Sequence, residues 1–375
     1  MRKIVGIMPG LLACIFIMII SLYLADVLGN LLNTLQGLPD GSSSPISSIF
    51  VAIILGLLIR NFIGLHEQLR EGVLFSVKII LKLGIVLLGI RLSFYDVITL
   101  GAWGIPIILT CVIVGLTVTL WITSKLGQAH RLGTLTAVGT GICGVTAIVG
   151  TAPGIKANDE EMAYAIGNIT IFGIIAMFAY PYLAFYLFEN DPVRVGLFLG
   201  TSIHETAQVA GAALIYDQVY SMGQVVDVAT ITKLTRNSLL IAVVPIMSYY
   251  YLNKFGNSRG TARTTPKWYQ LIPFFVIGFI VMAGIRTIGD NGVLEESRAF
   301  GLLDPNEWKN LWGTVNIIGS KYMLGTAMAA VGLSTNLRVF KGVGVKPFYV
   351  GMAAAVTVTI VSIIMVYLLG GFISL

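Results

Sequence analysis

From Ile4 to Leu24 the chain carries no charged side chain, and apolar stretches of that kind return at short intervals to the C-terminus. About 20 mainly apolar residues suffice for a helix to cross a bilayer, so this recurrence limits the fold before any motif is read. Eleven segments qualify: 4–24, 46–63, 73–92, 102–123, 132–152, 163–187, 195–215, 229–252, 268–288, 312–333 and 348–369. The composition agrees. Charged residues make up 11% and hydrophobic ones 56%, with a mean hydropathy of +0.87, whereas soluble chains carry roughly 25% charge. Alternating ten-residue strands of the outer-membrane barrel type are not found. The expected class is an all-α polytopic membrane protein. The first segment follows Arg2 and Lys3 in the manner of a signal peptide, but it is long enough to span and no small-residue cleavage site follows. It reads as a retained helix. Cys14, Cys111 and Cys143 fit no disulfide or metal spacing.

Cytoplasmic loops concentrate Lys and Arg. With the N-terminus inside, the inner connections hold Arg2, Lys3, Arg60, Arg70, Lys125, Arg131, Arg194, Lys254, Arg259, Arg263, Lys267, Arg338, Lys341 and Lys346. The outer ones hold only Arg91, Lys156, Arg286, Arg298 and Lys309. The bias predicts N-in and C-out. It also accounts for the net charge of +6 without nucleic acid. Residues 253–267 form the clearest inner connection and 287–311 the longest outer one, and no soluble domain fits between segments.

Setting aside 1–45 as an extra helix and outer loop leaves five segments in 46–190 and five in 191–375. An odd number per unit inverts the second unit against the first, as in many secondary transporters. Segment three, with Lys78 and Lys82, pairs with segment eight, with Lys233 and Arg236. Segment five pairs with segment ten through glycine-rich GTA steps. A competing match relates segment three to segment ten.

Ionisable residues inside membranes are expensive and mark function. Lys78, Lys82, Lys233, Arg236 and Lys321 fall within segments, against one acidic residue, Glu205. Such an interior suits an anion, and the guanidinium of Arg236 matches an oxyanion bidentately. Snorkelling to the headgroups is the competing reading for Lys78 and Lys233. Residues 139–157, GTGICGVTAIVGTAPGIKA, contain five glycines and a proline, too many for a uniform helix. A break there exposes backbone N–H groups, and a half-helix N-terminus attracts anions. Thr140, Gly141, Cys143, Gly144 and Thr146 are the binding candidates; close helix packing through small residues is the alternative.

The stretch SIHETAQ, 202–208, resembles a zinc-binding HExxH but has Gln208 in place of the second histidine. His66 and His130 read as loop residues and supply no replacement ligand. Thr201, His204 or Glu205, and Gln208 share one helical face. His204 and Glu205 are proton-coupling candidates, with pairing of Glu205 to a cation as the alternative. Asn168 is a site candidate or core polar glue, and Asn158 or Asp159 caps the sixth segment. No phosphate-binding GxxxxGK[ST] loop appears, and no cofactor is expected.

Taken together, GTGICGVTAIVGTAPGIKANDEE, GTSIHETAQVAGAAL, ATITKLTRNSLL and AMAAVGLSTNLRVFKGVGVKP resemble the bacterial sulfate exporter family of inner-membrane proteins. The likeness covers the chain from about residue 46. That family is similar to the cation-antiporter and anion-transporter superfamily, which implies inverted repeats with broken, crossing helices. Ile142-Cys143-Gly144, the run from His204 to Gln208, and Lys233 with Arg236 match its motifs. Where relatives carry aspartate after the histidine, this chain has Glu205. The resemblance implies a secondary transporter exporting a small anion, coupled to protons or sodium. The membrane lipid is its other partner, and homodimerisation is left open. A cation antiporter using Glu205 is the alternative, and an intramembrane enzyme using Cys143 or His204 a third reading.

Overall fold

The computed structural model describes residues 2–35, 46–188, 191–255, 274–336 and 345–373. Helices fall on all eleven apolar segments. The one β-feature among the described residues is an isolated bridge between Ala299 and Leu303. Six helical runs are long and apolar enough to cross a membrane: Gly6–Leu31, Glu67–Arg91, Val97–Lys125, Glu160–Phe188, Phe274–Glu295 and Lys346–Phe372. Most of the predicted inner connection 253–267 lies outside the described residues.

Helix starts follow local chemistry. Asn158 and Glu161 exchange side-chain and backbone bonds at the head of α8 (Asp159–Phe188), so Asn158 takes the capping role. Asp191 caps α9 (Pro192–Ser202) by accepting from the Val193 and Arg194 amides, with proline at the first helical position. Asp304 and Glu307 form a capping box that starts α14 (Pro305–Ile317). The expected long outer segment 287–311 is therefore mostly helix. α13 (Phe274–Glu296) runs on to Glu296, and the Trp308 indole donates to Asp290 at 2.8 Å.

The chain divides into two compact units, and each draws on both halves of the sequence. The first comprises Met1–Thr99, Ala213–Asp227 and Phe274–Leu337; the second comprises Leu100–Ala212, Val228–Pro273 and Arg338–Leu375. The first unit packs α1 (Arg2–Leu35), α2 (Ser48–Leu58), α3 (Glu67–Phe75), α4 (Leu81–Leu88), α13, α14 and α15 (Leu324–Ser334). Three of its rods contain a π-helical turn: Ile59–Ile63 at the end of α2, Ser76–Ile80 between α3 and α4, and Ile318–Met323 between α14 and α15; the last two interrupt a rod. Lys78 and Lys321 sit in those turns with exposed side chains, and Lys82 is exposed just beyond.

The second unit is organised around two helical hairpins. α5 (Phe94–Lys125) leads to α6 (His130–Gly141) and α7 (Val145–Ile155). A Cβ built at Gly139 would lie 2.9 Å from Ile148 Cδ1. Nine residues of straight helix separate positions by about 13.5 Å, so α7 folds back on α6. Both open ends of this hairpin lie at the C-terminal end of α12 (Leu240–Phe255). The His130 ring stacks on Phe255 at 4.0 Å, and Ile155 shares a buried cluster with Leu132 and Tyr251. Its tip lies at the opposite end of α12, where Cys143 and Ala147 cluster with Leu240 and Val244.

The second hairpin is α9 with the first two turns of α10 (Thr206–Tyr220), whose residues from Ala213 belong to the first unit. α9 runs parallel to α11 (Gln224–Ser238): side chains added at Gly196 and Gly200 would strike Val228 and Thr232, and the Thr201 carbonyl meets Arg236. α10 returns antiparallel to α11, with Thr206 beside Asn237. α11 and α12 succeed each other with Leu239 between them. One hairpin lies along the α12 half and the other along the α11 half, so they approach from opposite ends and meet tip to tip. The fifth and seventh apolar segments thus turn back where a crossing was expected. α6, α7 and α9, of 11 or 12 residues, reach roughly 17 Å, and α10, of 15 residues, about 22 Å, each short of the ~30 Å hydrocarbon core. α16 (Val345–Leu369) packs beside α6, α8 and α9 and completes this unit.

Candidate functional site

The first tip is made by sequence. α6 ends at Gly141, and Ile142 leaves the helix at φ −127°, ψ −88°. Gly144 then adopts φ 75°, ψ −123°, a region that a Cβ makes costly. Its amide reaches back to the Gly139 carbonyl at 3.0 Å. A side chain at Gly144 would also lie 3.3 Å from Glu205 Cβ, so the glycine permits both the reversal and the approach of the second tip. That second tip is Ile203 to Glu205. Ile203 is extended, and α10 restarts at Thr206. The single helical face predicted for Thr201, His204, Glu205 and Gln208 does not exist, because the helix ends between them.

Two cations from α11 hold the tips together. Lys233 is 1% exposed and Arg236 0%, which rules out snorkelling for Lys233. Lys233 Nζ donates to the carbonyls of Ile142 and Ile203, each at 2.9 Å, and to that of His204. An ammonium has three protons to donate, and all are engaged. Arg236 donates from Nε to the Gly141 carbonyl at 2.9 Å and from Nη1 to Thr201 at 2.6 Å and Ile203 at 3.4 Å. Its Nη2 donates to the Thr140 carbonyl. These acceptors are the orphan carbonyls at the C-terminal ends of α6 and α9, where positive charge is favourable. Each cation bridges both tips. Neither is within ion-pairing distance of a carboxylate among the described residues.

The remaining ends of the tips are the N-termini of α7 and α10. Gly144 offers α7 no side-chain cap, and in its first turn the Ala147 amide donates to the Cys143 side chain. Thr146 is exposed there, and Val145, Glu205 and Thr206 are partly exposed. Cys143 is 6% exposed and His204 2%, with His204 Nδ1 lacking any partner in the chain.

Other predicted residues serve the surroundings. The Thr201 hydroxyl donates to Leu197 and pairs with Ser362 Oγ at 2.7 Å, facing α16. Asn168 Nδ2 donates to the Pro347 carbonyl at 2.6 Å. Gln208 packs on Gly173 of α8, with Nε2 3.4 Å from the Thr170 carbonyl. Lys321 belongs to the first unit, where its side chain is exposed. Thr140 contributes its carbonyl to Arg236, while its side chain is buried. Sequence reasoning overlooked Asn237, next to Arg236, whose Nδ2 donates to Thr206 Oγ1 at 3.1 Å while Oδ1 has no partner.

Comparison with known proteins gives a consistent picture. The family described as Conserved hypothetical protein 698 matches residues 9–351. A UPF0324 membrane protein of Bacillus anthracis is 31% identical over 98% of this chain and 97% of its own length. UPF0324 membrane proteins of Streptococcus agalactiae (30%, covering 96% and 97%) and Fusobacterium nucleatum (30%, covering 88% and 91%) are similar to it as well. No solved structure matches. The chain therefore belongs to the UPF0324 membrane protein family, Conserved hypothetical protein 698.

Proposed function

We propose that the chain is a secondary active transporter of the bacterial inner membrane that exports a small anion. Sulfate, sulfite, a sulfonate or a carboxylate fit, with movement coupled to a proton or sodium gradient. The observation that carries this reading is the asymmetry of the paired tips. Buried Lys233 and Arg236 neutralise the negative ends of α6 and α9, while the positive ends of α7 and α10 carry the exposed Thr146 and the partly exposed Val145, Glu205 and Thr206. A small anion would lie across those N-termini, against the Thr146 and Thr206 hydroxyls and Asn237. Lys233 and Arg236 lend charge from behind, without direct contact. Resemblance to the sulfate exporter family supports an anion, and an inside-negative potential favours exit of net negative charge by about 2.3 kcal/mol per charge per 100 mV, less one charge for every proton that leaves with it.

In a membrane this fold reads as nine crossing helices with two re-entrant hairpins, N-terminus inside and C-terminus outside. Relative to eleven crossings, Lys156 moves inside and Arg194 outside, so the charge bias is unchanged. The inverted relation is then carried by the two hairpins and by the π-bulged rods α3–α4 and α14–α15, the competing match seen in the sequence. The pairing of segment five with segment ten finds less support, since one is a hairpin and the other a through-going rod.

Glu205, at the second tip, gives the alternative. An anion beside it favours the protonated carboxyl, so anion and proton would move together; a cation would displace the proton, as in an antiporter. The test is flux of labelled sulfate and small sulfonates into proteoliposomes, with internal pH followed by a dye. Anion movement accompanied by protons in the same direction is expected. Sodium-driven proton movement without anion flux would sink the proposal in favour of antiport.

A further inference from the structure

Within the second unit a cavity of about 470 Å³ lies between α5, α6 and α12, at the open end of the first hairpin. Its depth is apolar: Ile113, Leu116, Leu120, Ile246 and Met247. Its rim is polar: Ser124, His130, Tyr250 and Lys254, with no carboxylate among the lining residues. Lys254 Nζ donates to the Tyr250 hydroxyl at 2.9 Å, and the adjoining Lys125 ammonium stands over the Trp121 ring at 6.0 Å. Trp121 and Ile246 are 61% and 60% exposed, so the cavity opens sideways on helix faces that meet hydrocarbon in a membrane protein.

We infer that this cavity is a binding site for one anionic phospholipid, with an acyl chain in the apolar depth and the headgroup phosphate at Lys254, Lys125 and His130. The volume falls in the range of specific ligand sites. A small hydrophilic anion has nothing to bind in the depth, whereas a fatty chain fills it. An acyl chain gains little by leaving other acyl chains for an apolar wall, so selectivity rests with the headgroup and the cationic rim. The site has a consequence for the tip. Leu116 and Met247 belong to the same buried cluster as Ile142 and Cys143, so the chain that fills the cavity braces the first hairpin from outside. This inference stands apart from the transported ion.

The full-length protein tests it in two ways. A variant retaining Trp121 as its sole tryptophan is titrated with dibrominated phosphatidylglycerol and dibrominated phosphatidylcholine. Quenching by the anionic lipid should saturate at a several-fold lower mole fraction. Independently, mass spectrometry of the unmodified chain after delipidation should find one retained anionic phospholipid. Lys254→Gln should weaken its retention about fivefold, the worth of one cation near a membrane surface. Thr117→Trp, which fills the cavity, should abolish it. Equal quenching by the two lipids, or retention unchanged in both variants, overturns the inference, and the unmodified chain alone decides if a variant does not fold.

Discussion

Replacing Arg236 by methionine keeps most of the side-chain volume and removes the guanidinium. Three backbone carbonyls, those of Thr140, Gly141 and Thr201, then lose their Arg236 donor inside the second unit, while that of Ile203 keeps Lys233. A hydrogen bond to a charged group is worth about 1.5–3 kcal/mol, and a buried acceptor left without a partner costs about 1–3 kcal/mol. The 3.4 Å contact to Ile203 contributes little, and removal of a buried charge returns part of its desolvation cost. A net loss of roughly 3–5 kcal/mol is expected. Arg236→Lys keeps the charge but not the fork, so it should lose about half as much. The assay is thermal unfolding in detergent, together with maleimide labelling of Cys143 in a Cys14→Ala, Cys111→Ala background. Cys143 is 6% exposed at the tip, and its labelling should accelerate when the tips loosen. If Arg236→Met kept the parent melting temperature and Cys143 protection while losing anion binding, Arg236 would be a substrate ligand and the clamp reasoning would be wrong.

Gly144→Ala should cost about 1–2 kcal/mol from the positive φ alone, and should depress flux further because its Cβ meets Glu205 at 3.3 Å; thermal unfolding and flux measure the two effects. Glu205→Gln should leave the melting temperature near that of the parent and abolish the proton movement that accompanies anion flux, as a pH dye in proteoliposomes reports. Cysteines placed at Gly127 and Ala157, which flank the first hairpin, should react with a membrane-impermeant reagent from the same side; labelling from opposite sides would establish a crossing segment.

The sequence located the helices well because their apolar runs are long, and it marked the 139–157 break because glycine and proline disfavour helix interiors. It missed the reversals. Residues 132–152 are apolar over a length that could span, and hydropathy carries no information on whether a chain turns back. The basic-residue bias is equally silent, since in the proposed topology Lys156 and Arg194 would exchange sides. Lys233 and Arg236 were legible as buried charge, but their partners are backbone carbonyls, which every residue has and no motif displays. For that reason they were expected to face the substrate. The outer connection was over-read because the α14 start depends on a capping box at Asp304 and on Trp308 reaching back to Asp290.

The double anchorage of each cation restricts how the membrane barrier can open. Lys233 holds Ile142 of one hairpin and Ile203 of the other, and Arg236 holds Gly141 and Thr201. Drawing the tips apart would sever charge-assisted bonds on both, at a cost far above the thermal energy of ~0.6 kcal/mol. The hairpins are thus ill suited to act as independent gates. In the proposed transporter, alternation of access would have to carry the pair as a single body.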